Sequence, residues 1–305
     1  YNSSPSEQWW RENVDLEGYY SYRSIVEAVH HYDIGYGKNY FYYHDPVTNT
    51  WSVFPWDVDL TWANNMYGNG QEPFYSRLLT NPVFAVEYRN RLREIRDLLY
   101  NPEQTGLLID EMASKIYTPG QLSFVDADRA LWDYNPILSS AYVNANKAGV
   151  GRFYDISPTG DFAGMIALMK NYVVSRGAWI DSTILTDEAL IPVTPTVTYT
   201  GQPAFPIDEL TFAASAFSSA SASFAAMEWR IAEVTTGPVS ADQEPCYEIA
   251  AQWISGELTA YDSDVLIPSG DLEVGKTYRV RVRMKDDAGR YSHWSAPVEF
   301  TDHIG

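Results

Sequence analysis

The chain has 305 residues, 45% of them hydrophobic and 15% aromatic, with a formal net charge of −19. The apolar content excludes a disordered chain, and the acidity excludes nucleic acid as a partner, because a phosphate backbone would be repelled. Residues 1–190 carry 14 Lys and Arg against 24 Asp and Glu, and the remainder 7 against 16, so the acidity is not confined to a tail. Such a field suits solubility, and it also attracts a divalent cation or a basic substrate.

In chain order, residues 1–20 are polar and rich in Trp and Tyr, and 21–32 place Ile25, Val26 and Val29 at helical spacing. The run Asn39–His44, the turn residues Asp45-Pro46 and Thr48-Asn49, and the run from Trp51 to Phe54 predict a β-hairpin. This leads directly into Pro55-Trp56-Asp57-Val58-Asp59. Trp51, Phe54 and Trp56 are expected to pack into a core beside the hairpin; exposed, they would form a sugar-stacking surface.

The clearest helix is 82–100, with Phe84, Tyr88, Leu92, Ile95 and Leu99 in a stripe, Asn81 as cap and Pro82 in the first turn. Its Arg89, Arg91, Arg93 and Arg96 read as a solvated face paired with Glu87, Glu94 and Asp97. Further helices are predicted over 103–117, 123–133 and 160–180.

At Ile191 the composition turns to Pro- and Thr-rich extended chain, followed by short β runs over 227–234, 265–267 and 277–285. The last alternates Tyr278, Val280, Val282 and Met284 with Arg279, Arg281 and Arg283. The arginine row is expected to stack along Trp294. Residues 213–226 read as a long loop or irregular strand pair. Cys246, the single cysteine, reads as a buried inert thiol on a strand, and an intrachain disulfide is impossible. No apolar run reaches the length of a membrane span. The predicted fold class is therefore α+β, with a mainly helical domain over 1–190 and an all-β sandwich over 191–305.

The chemistry concentrates in residues 30–62. Asp33 is followed six residues later by Asn39, then by the hairpin, then by Asp57 and Asp59. Phosphoryl transfer needs a carboxylate at the attacking hydroxyl and hard oxygen ligands that hold Mg²⁺ or Mn²⁺ against nucleotide phosphates. This order of residue types supplies those parts. On an ideal strand Asp57 and Asp59 would share a face, where two carboxylates repel unless a cation sits between them. A plain structural role, with Asp33 capping a turn and Asp57 ending a strand, fits the same spacing. His30 and His31 are adjacent and point apart on a helix, so a shared metal is not expected.

Asp33, Lys38-Asn39, the aromatic strand Tyr40-Phe41-Tyr42-Tyr43 and the element Pro55-Trp56-Asp57-Val58-Asp59-Leu60 together resemble the spore-coat CotH kinase family, over roughly residues 10–185. The resemblance implies the C-terminal, helical kinase-like lobe with a small β-hairpin, of an atypical secretory kinase. Such a kinase would transfer phosphate from ATP to a hydroxyl of an exported or cell-surface protein, using Mg²⁺ or Mn²⁺. It implies Asp33 as the catalytic-loop carboxylate, Asn39 and Asp57 as metal ligands and Asp59 as a second carboxylate. The ATP-binding Lys is expected upstream of Tyr1, the chain reading as a fragment. Extracellular or surface location follows from the resemblance alone. Trp229, Leu272, Tyr278 and Ser292-His293-Trp294-Ser295 resemble a fibronectin type III module of the immunoglobulin-like class, usually a spacer or adhesion surface. The alternatives are a non-catalytic coat or surface protein on a degenerate kinase-like scaffold, and a carbohydrate-binding module.

Overall fold

The computed structural model describes residues 4–31, 33–34, 37–62, 70–131, 159, 161–239, 242, 244–270 and 272–301. It combines helix and antiparallel sheet, an α+β chain. The chain divides into two compact units: residues 1–92 with 105–184, and residues 93–104 with 185–305.

The first unit opens with α1 (Glu7–Asn13), capped by Ser6 Oγ, which accepts from Trp9 N–H at 3.1 Å. Helix α2 (Leu16–Val29) follows, capped by Asp15, which accepts from Gly18 N–H at 3.0 Å. Both use the short oxygen side chains that satisfy free amides at a helix start. The hairpin β1 (Tyr40–His44) and β2 (Trp51–Pro55) pairs Tyr40 with Pro55 and His44 with Trp51. Among the described residues, five further helices are α3 (Pro73–Leu78), α4 (Pro82–Leu98), α5 (Gln104–Ser114), α6 (Phe124–Leu131) and α7 (Phe162–Thr183). The end of the helix predicted over 123–133 lies outside the described residues.

Phe74 is the hub of an aromatic core beneath the hairpin: Trp10, Tyr19 and Tyr42 lie 5.1, 6.0 and 4.6 Å from it, ring centroid to ring centroid. These rings join α1, α2, β1 and α3, and Val53 seals the inner face of β2. The outer face is bare. Phe41, Tyr43, Phe54 and Trp56 are 57, 50, 51 and 62% exposed, and Trp51 is 38% exposed, so the core role expected of Trp51, Phe54 and Trp56 is wrong. A two-stranded hairpin has two faces, and only the one carrying Tyr42 and Val53 meets the unit's core.

A second support of this unit is ionic. Arg23 on α2, fully buried, pairs with Glu27 and with Glu72, and Arg176 on α7 pairs with Glu27 at 3.1 Å. Tyr19 donates to Glu72, and the Arg23 guanidinium lies 4.5 Å from the Tyr75 ring. Two cations and two anions balance, the condition under which buried charges persist. Burial opposes the charge on Arg23, but Glu27 and Glu72 outweigh it and hold its pKa well above the ordinary value. Burial, with Glu72 nearby, pushes the Tyr19 phenol well up.

The second unit holds two antiparallel sheets, built from β3 (Val197–Tyr199), β4 (Thr211–Ala214), β5 (Phe224–Glu233), β6 (Trp253–Ile254), β7 (Asp264–Leu266), β8 (Thr277–Asp286) and β9 (Val298–Thr301). Their orders are β3-β4-β7 and β6-β5-β8-β9. One core joins them, with Phe212, Met227, Trp229, Ile231, Val280, Val282, Met284 and Phe300 among its members. The alternation read from residues 277–285 holds: Tyr278, Val280, Val282 and Met284 are all buried. Cys246 lies in a loop rather than a strand, where it exchanges backbone and hydroxyl hydrogen bonds with Thr235.

Charges organise the opposite face. Glu228 lies across from Arg283 and the two pair at 2.6 Å, but Arg230 lies directly across from Arg281. Like charges so placed repel. Buried Glu248 resolves the conflict by pairing with Arg279 and Arg281, while its backbone carbonyl accepts from Arg230 at 2.5 Å. Burial still lowers the Arg230 pKa to about 10. Only Arg283 of the row stacks on Trp294, at 4.4 Å, and it also lies 4.0 Å from Tyr291. Arg279 and Arg281 are engaged by carboxylates instead, which overturns the expected ladder. Arg93 departs likewise from the solvated face expected of α4. It is buried and pairs with Asp187 at 2.7 Å.

Candidate functional site

The site is built from two irregular segments flanking the hairpin. Helix α2 ends at His30, whose left-handed φ of 51° turns the chain out of the helix. His31 follows, buried, then the turn carrying Asp33. Asn39 closes the segment at φ 63° and begins the hairpin. On the far side β2 ends at Pro55, and Asp57 adopts φ 52°. Asn and Asp are the non-glycine residues that tolerate this region best, because their short side chains bond locally. Trp62, bulky and at φ 61°, does not share that excuse; its N–H donates to Val29 O at 2.7 Å. Such conformations persist where surroundings over-determine them, and they concentrate at functional sites.

A closed circuit of hydrogen bonds joins the two segments. The Asn39 amide donates to the Asp33 carbonyl at 2.7 Å and to Asp33 Oδ2 at 3.0 Å. The Asn39 carbonyl accepts from Trp56 N–H at 3.0 Å. The Trp56 carbonyl in turn accepts from His31 Nε2 at 3.0 Å. A carbonyl can only accept, so Nε2 carries the hydrogen and a neutral ring leaves Nδ1 as an acceptor. Asp57, next to Trp56, is thereby tied to the strand end that begins with Asn39.

The circuit also sets what each side chain offers. Both Asn39 bonds use its NH₂ group, so Oδ1 is left as a hard oxygen acceptor. Asp33 is a quarter exposed, and Lys38 Nζ lies 2.6 Å from its Oδ1. Asp57 and Asp59 are exposed. The expected common face for them on a strand does not exist, because the strand ends at Pro55 and residues 58–59 form a turn. Among the described residues no group of three His, Cys, Asp or Glu side chains is gathered to hold a metal. Asn39 Oδ1 and the Asp57 and Asp59 carboxylates are hard oxygen donors, the type that Mg²⁺ and Mn²⁺ take.

Residues 2–133 match the family model described as CotH kinase protein. The curated Inner spore coat protein H of Bacillus subtilis (strain 168) is 26% identical over 128 residues, 38% of this chain and 35% of that protein. The match thus spans about a third of the length of that relative. Among solved structures, Streptomyces avermitilis α-L-rhamnosidase complexed with L-rhamnose is 27% identical over 37% of this chain and 10% of that one, at a TM-score of 0.24, too low to bear on fold or function. The similarity to CotH kinase proteins spans Asp33, Asn39, Asp57 and Asp59. Among the described residues no helix is long and apolar enough to cross a membrane.

For two residues of the site the sequence does not show the partner. His31 was weighed only as a metal ligand, and its role in tying Trp56 appears only when residues 25 apart meet. Lys38 sits beside Asn39 in sequence, but its ion pair with Asp33 depends on how the intervening turn closes.

Proposed function

We propose that the first unit is the metal- and base-bearing part of an atypical secretory kinase, which transfers a phosphoryl group from ATP to a hydroxyl of an exported or cell-surface protein. The observation that carries this reading is the hydrogen-bond circuit joining Asp33, Asn39 and the Trp56–Asp57 segment. It holds a carboxylate and a free amide oxygen in one loop and brings the Asp57 segment onto them. Asp33 accepts the proton of the attacking hydroxyl. Asn39 Oδ1 and the Asp57 carboxylate would hold the metal, with Asp59 as a second carboxylate nearby. A divalent ion held by these residues would offset the charge that develops on the transferring phosphate. The similarity of residues 2–133 to CotH kinase proteins supports the same assignment.

The test is calorimetric titration of ATP with Mn²⁺ or Mg²⁺ into the full-length protein, its Asp57→Ala variant and its Asp33→Asn variant. Metal-dependent binding lost in Asp57→Ala, with binding kept and phosphotransfer lost in Asp33→Asn, is the expected pattern. Binding that ignores the metal, or survives Asp57→Ala, overturns the reading.

A second reading has its own observation. The exposed rings Phe41, Tyr43, Phe54 and Trp56 run beside Asp57 and Asp59, and stacked aromatics with nearby carboxylates also suit a sugar. Retention on a polysaccharide without nucleotide, abolished by Trp56→Ala, would favour carbohydrate recognition. A non-catalytic coat or adhesion role is the outcome if neither ligand binds.

For the second unit we propose a fibronectin type III-like module serving as a spacer or adhesion surface. The three-plus-four antiparallel sheets, the buried Trp229 on β5, and Tyr278, whose hydroxyl accepts from Glu273 N–H at 2.7 Å, support it. An experimental structure with another strand order would remove this assignment.

A further inference from the structure

Asp33 holds two partners of different kinds. Asn39 is built in: its amide bonds both the Asp33 carbonyl and Oδ2, and its own carbonyl accepts from Trp56 N–H. Lys38 is not. Its ammonium lies 2.6 Å from Asp33 Oδ1, but its side chain is 56% exposed, and among the described residues Asp33 is its one partner. An ion pair so exposed is weak in water and is readily exchanged for a stronger anion. A terminal phosphate is such an anion, and a lysine, a compact charge on a four-carbon stem with three donors, can follow it without moving its backbone.

We propose that Lys38 is a switching countercharge: it neutralises Asp33 in the free protein and passes to the terminal phosphate of a bound metal–nucleotide. The proposal rests on the phosphotransferase reading above. Departure of the ammonium frees Oδ1 to meet the substrate hydroxyl, while Asn39 keeps Oδ2 in place. In the transfer itself, the hydroxyl oxygen forms a bond to the terminal phosphorus. The bond from that phosphorus to the bridging oxygen breaks, its electron pair staying with the departing diphosphate, and the hydroxyl proton passes to Asp33. Lys38 exchanges no proton in this step. It follows the charge.

The experiment compares Mn²⁺-dependent binding of ATP and ADP, by calorimetry, in the full-length protein and in its Lys38→Met and Lys38→Arg variants, with thermal unfolding to confirm that each folds. Loss of one charge-assisted contact to the terminal phosphate is expected to weaken ATP binding about tenfold in Lys38→Met and to leave ADP binding within about twofold. Lys38→Arg is expected to restore most of the difference. Equal weakening of both nucleotides, or no change in either, overturns the role of Lys38 while leaving the kinase reading intact. Failure of the unaltered protein to bind either nucleotide overturns that reading, and this proposal with it.

Discussion

Asp33 and Asp57 are the residues from which chemistry is expected, but His31 decides how their segments meet. Its side-chain bond to the Trp56 carbonyl is part-buried, and replacing His31 with Phe removes that carbonyl's protein partner. We expect His31→Phe to cost about 1 kcal/mol of stability and to weaken Mn²⁺–ATP binding although the residue touches neither ligand. Unchanged binding in a folded variant would show that the circuit is not what orients Asp57. At the same scale, His293 reports on pH. It lies between Asp97, 2.7 Å from Nδ1, and Glu188, 3.2 Å from Nε2, with Arg93 also on Glu188. Burial opposes its charge, but the two carboxylates outweigh burial and raise its pKa to about 9. The folded value lies above the unfolded one. Its contribution is therefore complete below about pH 6.5 and is lost as pH rises to about 9, with a ceiling on the order of 3 kcal/mol. Urea unfolding at pH 6 and pH 9.5 should show a smaller loss in His293→Gln than in the unaltered protein. Equal losses would contradict the assignment.

At the scale of elements, α2 does the organising in the first unit. Its first turn is capped by Asp15, its last residue delivers the chain into the site, and its middle carries Arg23 and Glu27. Arg23 also donates to Gly70 O and Glu72, so it fastens the chain that follows the Asp57 turn back onto the helix. Arg23→Met leaves Glu27 and Glu72 buried with less than their countercharge. It should destabilise by about 3–5 kcal/mol, measured by denaturant unfolding. Adding Glu72→Gln should recover part of the loss, because the unpaired charge is then removed. If the double variant is no more stable than the single one, the cost lies in packing rather than in charge. In the second unit Ser292 and Ser295 do comparable work. Their hydroxyls accept from Met284 and Val282 N–H, and their amides donate to the carbonyls of the same two residues. They continue the ladder of β8 before β9 begins, which is a physical reason for the Ser-His-Trp-Ser sequence.

At the scale of the molecule, the two units do not follow one cut in the chain. Residues 93–104 belong with 185–305. Glu103 pairs with Arg279, Gln104 accepts from Glu248 N–H at 2.8 Å, and Asp97 accepts from Trp294 N–H at 2.9 Å. A fragment of residues 185–305 would lack all three and would expose Arg93's partner Asp187 alone. We expect that fragment to unfold at lower urea concentration than the same unit in the intact chain. Equal midpoints would show that residues 93–104 add nothing to its stability.

Local pattern was enough for most elements. Helix α4 was legible because its apolar stripe, its Asn81 cap and Pro82 agree, and the structure shows Asn81 Oδ1 accepting from Val83 N–H at 2.9 Å. The hairpin and β8 were legible from alternation, and the order of Asp33, Asn39, Asp57 and Asp59 marked the site segment. What the sequence could not decide was which face of an element meets other elements. Phe54 and Trp56 look like core residues by type and lie on the bare side of a hairpin, and Trp51 stays exposed at its turn end; Arg93 looks like a surface residue and is buried on Asp187. The same holds inside the site. Residue types pointed to a candidate site, while the left-handed turns at Asn39 and Asp57 and the bond from His31 to Trp56 appear only in the structure. Periodicity records short-range preference along the chain, whereas burial and ion pairing are set by segments distant in sequence, and only the tertiary structure brings those together.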